Sequence, residues 1–130
     1  MQDIQINEAE IEERMKMLKQ TKVNEQNERF TIDKEEYVEN IADKSSSLKA
    51  HIEDIKTLFG IIKDKEKFKP SSTTIALIIG TLLYVISPID MIPDALPAIG
   101  FLDDAAIIAA TVEKIKVEIE KYKEWKKMNS

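Results

Sequence analysis

YVISPIDMIPDALPAIGFLDD, residues 84–104, lies between two strongly apolar segments and holds three of the four prolines, one of the three glycines and four aspartates. Pro93 and Pro97 each remove a backbone donor and push the preceding residue into extended conformation, so no helix runs unbroken through this stretch. Gly100 permits a tight turn. The segments on either side are therefore separate elements joined by a proline- and aspartate-rich turn. Between residues 70 and 113 there is no Lys or Arg, although the chain carries 19. The formal charges in that span are Asp90, Asp94, Asp103, Asp104 and, at its edge, Glu113. A carboxylate in otherwise apolar sequence must be capped, paired, metal-bound or functional, because burying a bare charge is costly.

Upstream, Ser71 to Thr74 supply N-cap candidates for an apolar helix reaching about residue 86. It is hydrophobic all round, so it belongs at the centre of a bundle or in lipid. Residues 75–89 fall short of the ~20 apolar residues that span a bilayer, and Pro88 and Asp90 end the run. Ser87, Pro88 and Asp90 themselves read as a fresh helix start, with Ser at the N-cap, Pro next and an acid at the third helical position. Downstream, Asp103 or Asp104 caps a last helix whose stripe is Ile108, Val112, Ile115, Ile119 and Tyr122. Lys121, Lys123, Lys126 and Lys127 sit at its C-terminal end, where cations favour the dipole.

Towards the N-terminus, Asn7 and Glu10 resemble a capping box before Ile11, Met15 and Leu18, which predicts a short amphipathic helix over about 8–20. Residues 21–29 are polar and read as a linker. Asp33 with Glu36 forms a second capping pair. Tyr37, Ile41, Leu48, Ile52, Ile55, Phe59 and Ile62 then form one stripe, which the serines at 45–47 interrupt, so one long helix or two are expected. Residues 63–69 (KDKEKFK) are a solvated charge run closed by Pro70. No strand-period segment competes. The expected fold is all-α: a small helical bundle with a Pro/Asp-rich turn between a fully apolar helix and a long C-terminal amphipathic helix. Residues 1–32 form an N-terminal helix and polar linker, and residues 33–130 the bundle domain.

At 130 residues, 33% charged and 43% hydrophobic, the chain is expected to form one folded domain with a modest core. A net charge of −5 argues against a general nucleic-acid binder. The absence of cysteine excludes disulfides and thiolate chemistry and fits a reducing compartment. The opening MQDIQINEAEIEE has no apolar h-region, so no secretory signal is expected. The charge divides into −3 over residues 1–69, −5 over 70–113 and +3 over 114–130.

The motif resembles that of the YkvA-like family of small bacterial proteins, a domain of unknown function. Tyr84, Ser87, Pro88, Ile89, Asp90, Ile92, Pro93, Asp94, Pro97, Gly100, Leu102, Asp103 and Asp104 match its fixed elements. The likeness covers roughly residues 48–112 and leaves the first ~45 as this chain's own addition. It implies a helical fold and marks the motif as the site. It supplies no catalytic activity, and it implies membrane association for some members.

Two readings of the aspartates stand. In one they are structural: Asp90 completes a cap, Asp94 opens a turn, and Asp103 and Asp104 begin the last helix, each such cap contributing ~1 kcal/mol. The rest of that motif, Tyr84, Ser87, Pro88, Pro93, Pro97 and Gly100, then acts as a rigid frame. In the other the turn folds back and the four carboxylates hold a hard cation, Mg²⁺ or Ca²⁺, as an enzyme or a sensor. No EF-hand loop accompanies them, and the one His, His51, lacks the companions of a metal or proton-transfer group. No cofactor is expected on the first reading. Residues 75–89 and 99–112 also fit a membrane hairpin with basic flanks on the cytoplasmic side, against which Asp103 and Asp104 would each cost ~2.5–3.5 kcal/mol if deeply placed. Trp125 suits a membrane interface or a cap on the core. The first expectation is a non-enzymatic helical module that binds a protein partner, in the cytoplasm or at the cytoplasmic membrane face, with peripheral or re-entrant lipid contact as the alternative. No phosphate loop or nucleophile–base pair supports a nucleotide-binding or hydrolytic role.

Overall fold

The computed structural model describes residues 8–86 and 104–129. Every regular element among them is helical: α1 Glu8–Lys19, α2 Glu25–Asp33, α3 Glu35–Lys44, α4 Ser46–Lys49, α5 Ile52–Lys63, α6 Lys65–Phe68, α7 Ser72–Ile86, α8 Asp104–Lys114 and α9 Lys116–Met128. The all-α bundle is as the hydrophobic periods require.

α7 is the axis. Eleven of its 15 residues are buried, and α1, α2, α5 and α8 pack around it. An all-apolar helix needs a non-aqueous neighbour on every side, and here protein provides it. Among the described residues no helix is long and apolar enough to cross a membrane. Ser71 starts α7 by accepting from the Thr74 amide at 3.2 Å. α1 approaches α7 closely at Gly80, where an added Cβ would lie 2.9 Å from the Leu18 carbonyl oxygen and collide with the Thr21 hydroxyl. Met15 and Leu18 are buried and Ile11 packs against them, as the stripe predicts.

Three local expectations are corrected. The polar segment 21–29 is not all linker, because Asn24 caps a helix from Glu25 by accepting from the Asn27 amide at 2.8 Å, with Glu25 and Glu28 favourable in its first turn. Asp33 is the last residue of that helix, so it does not cap α3; Lys34 takes the N-cap position with no side-chain bond. Tyr37 is 49% exposed, and Val38 and Ala42 face the core in its place. The chain breaks at extended Ser45, whose Oγ accepts from the Leu48 amide at 3.3 Å. α3 and α5 therefore have independent phases, and one stripe drawn through both misplaces α3. Leu48, Ile55, Phe59 and Ile62 are buried as expected.

The C-terminal helix is interrupted at Ile115 (φ −112°, ψ 23°), which divides it into α8 and α9. Ile108, Ile115, Ile119 and Tyr122 are buried along it. The charge run at 63–69 contains the single turn α6, after which Lys69 adopts a left-handed conformation (φ 57°) before Pro70.

Candidate functional site

The motif enters from α7 and leaves into α8. Tyr84 is fully buried near the end of α7, and Asp104 is the first residue of α8 and half-buried. Ser87, Pro88, Asp90, Pro93, Asp94, Pro97, Gly100 and Asp103 lie outside the described residues, and with them the question of whether the four carboxylates converge. The two flanking helices are tied together inside the core by a 2.6 Å hydrogen bond between the Thr81 and Thr111 hydroxyls. The Thr111 hydroxyl also lies 3.8 Å from the Met15 sulfur of α1.

Arg14 is the residue that the sequence reading missed. It is 2% exposed, with its guanidinium carbon 5.9 Å from the centroid of the Tyr84 ring, within cation–π range. A guanidinium is always charged and is the cation best suited to buried ion pairs. The signal was present: residues 11, 14, 15 and 18 follow the i, i+3, i+4, i+7 pattern of a buried face, so Arg14 occupies a core position in α1. It thus lies beside Tyr84, the first residue of the motif.

A second polar constellation joins α9 to the segment before α7. The Tyr122 hydroxyl donates to Asp64 Oδ2 at 2.6 Å, and Lys126 Nζ lies 3.1 Å from the same oxygen. The Tyr122 hydrogen bond holds the Asp64 carboxyl below its ordinary value, with Lys126 adding to the effect against partial burial. Burial, followed by the Asp64 hydrogen bond, raises the Tyr122 phenol. Phe68 packs edge-on to Tyr122, and Trp125 stacks on Tyr122 with centroids 5.9 Å apart. Trp125 thus covers the core. Glu118 reaches back 47 residues to accept from the Ser71 amide at 2.7 Å and from the Thr74 hydroxyl. Burial pulls Lys65 down, but hydrogen bonds to Glu66 and Glu28 outweigh it and leave the amine above its ordinary value.

These groups cap and clamp; none presents a nucleophile to a base. His51 Nδ1 is 3.6 Å from Asp54 at the start of α5, too long for a hydrogen bond. Among the described residues no three His, Asp or Glu side chains are grouped to hold a metal ion. A surface groove of 380 Å³ between α1 and α8 is lined by Ile11, Glu12, Met15, Ala110, Glu113 and Lys114, and Lys114 pairs with Glu12 at 3.1 Å.

A family model described as "Protein of unknown function (DUF1232)" matches residues 74–110. These begin with the buried part of α7 and end within α8, so the matched core is the motif with its two flanking helices. Over 86 residues the chain is 34% identical to a Bacillus subtilis (strain 168) protein named "Uncharacterized membrane protein YkvA". That alignment takes in 64% of this chain and 81% of the relative. No solved structure matches.

Proposed function

This chain belongs to the YkvA-like family of proteins of unknown function (DUF1232), and from that premise we propose a non-enzymatic helical interaction module acting at the cytoplasmic face of the membrane. The observation that carries the reading is the enclosure of α7. The most apolar helix is covered by α1, α2, α5 and α8, so it needs no lipid around it, and charged outer helices are left to meet partners. The name of the Bacillus relative supports the membrane side of the reading. On this view the motif is a rigid connector that fixes α8 against α7. Asp90, Asp94, Asp103 and Asp104 serve it as caps.

The test is partition of full-length protein between cytosol and membranes, before and after an alkaline carbonate wash. Recovery with membranes and release by the wash is the expected result. Retention in washed membranes would overturn peripheral attachment and favour an inserted hairpin, and recovery wholly in the cytosol would remove the membrane from the proposal. For the motif, Asp94→Asn and Asp103→Asn should each lower the melting temperature, with no response to Mg²⁺ or Ca²⁺. Unchanged melting of both would sink the structural role. A divalent-ion stabilisation abolished by these substitutions would replace that role with a cation site.

A further inference from the structure

Two basic stretches stand far apart in sequence: residues 63–69, with four lysines against two acids, and residues 114–130, with six against three. The fold sets them side by side. Phe68, between Lys67 and Lys69, lays its ring against Tyr122 and Trp125 with centroids 5.2 and 5.7 Å away. Asp64 is tied to α9 through Tyr122 and Lys126. Around this aromatic cluster Lys67, Lys69, Lys121, Lys123 and Lys127 are all exposed. Of the neighbouring acids, Asp64 is paired with Lys126, while Glu118 accepts from neutral donors at the start of α7, which do not cancel its charge. Glu66, Glu118, Glu120 and Glu124 subtract from the rest. Val117 and Met128 stand out from the same helix, 67% and 80% exposed. Over these two stretches lysines outnumber acids ten to five in a chain of net charge −5, and three of the lysines, Lys63, Lys65 and Lys114, pair with Glu35, Glu28 and Glu12.

We propose that this lysine-rich face around Phe68 and Trp125 is where the protein rests on an anionic lipid surface. The inference deepens, and rests on, the membrane-face reading above. Charge complementarity selects the occupant. An anionic leaflet attracts each nearby lysine by about 1 kcal/mol, about fivefold in partitioning, and it meets one face only. The name of the Bacillus relative, a membrane protein, favours lipid over a nucleic acid as the polyanion. Val117 and Met128 add apolar contact at the headgroup level.

The experiment is co-sedimentation of full-length protein with vesicles of phosphatidylcholine alone, or with about a third phosphatidylglycerol. Sedimentation with the anionic vesicles only, weakening as salt is raised, is expected. Combined Lys67→Gln, Lys69→Gln, Lys121→Gln and Lys123→Gln should reduce partitioning roughly a hundredfold or more with little change in melting temperature. Lys22→Gln with Lys49→Gln, outside both basic stretches, should leave it near wild type. Failure to sediment, equal sedimentation with neutral vesicles, or an undiminished quadruple variant would each overturn the proposal. Binding to a DNA duplex as tight as to the anionic vesicles would overturn the choice of lipid. If the quadruple variant still fractionates with cell membranes, the lysine face is wrong and the membrane-face reading stands; if the wild type does not fractionate with them, that reading fails by itself.

Discussion

Arg14 and Gly80 show how single positions govern the contact between α1 and α7. Arg14 brings a permanent charge into the interior beside Tyr84. A desolvated cation over an aromatic ring gains about 2 kcal/mol from the contact. Arg14→Met, which keeps most of the volume, is therefore expected to destabilise the protein by that amount in urea unfolding. A change below about 0.5 kcal/mol would deny the contact with Tyr84 a stabilising role. At Gly80 the nearest neighbours of an added methyl are the Thr21 hydroxyl, which hydrogen-bonds the Leu18 carbonyl at 2.5 Å, and that carbonyl itself. Backbone cannot swing aside as a side chain can. Gly80→Ala should cost about 1–3 kcal/mol of overpacking, seen as a lower melting temperature, whereas relief by a rotamer change would leave melting unaltered.

The joints between elements are small polar contacts set in apolar surroundings. Thr111→Val would strand the Thr81 hydroxyl in the core and is expected to cost about 1–3 kcal/mol. Adding Thr81→Val should recover much of that loss, and a double-mutant cycle reads the coupling. The clamp of α9 on Asp64 sets a pH dependence. The folded carboxyl titrates below the ordinary 3.8, so its contribution is complete above that value and is lost as the pH falls through the lowered one. The stability gap between wild type and Asp64→Asn should therefore be widest near neutrality and close on acidification below about pH 4. A gap that is constant with pH would deny the ionised carboxylate its role. Periodicity alone located α7 and the Met15–Leu18 face, because burial repeats with the helix. It failed at α2, where the helix is held by an Asn24 cap and inward-facing Thr31 and Ile32 amid polar residues. It failed again at Tyr37, which with Phe30 flanks the Lys34 ammonium on the surface, 5.5 Å from each ring centroid. The family motif is legible in the sequence, yet Arg14 is not, because a lone charge on a short, charged helix reads as solvated. Glu118's bonds to Ser71 and Thr74 were invisible for another reason: no local pattern announces a partner 44 to 47 residues away.

Across the whole molecule, the first described helix meets the eighth. Met15 touches Thr111 and Glu12 pairs with Lys114, contacts that close loops of 96 and 102 residues. Helical proteins usually fold fast because their contacts are local, and long loop closures work against that. On the ribosome α1 is made first, yet α8, against which it packs, emerges only after some hundred residues more, about 5–20 s at ordinary synthesis rates. For that interval the apolar side of α1, and then α7, has no finished core to join. This order of events makes the nascent chain, more than the native protein, the form most in need of a chaperone, and it favours a circular permutant in which α1 follows α9.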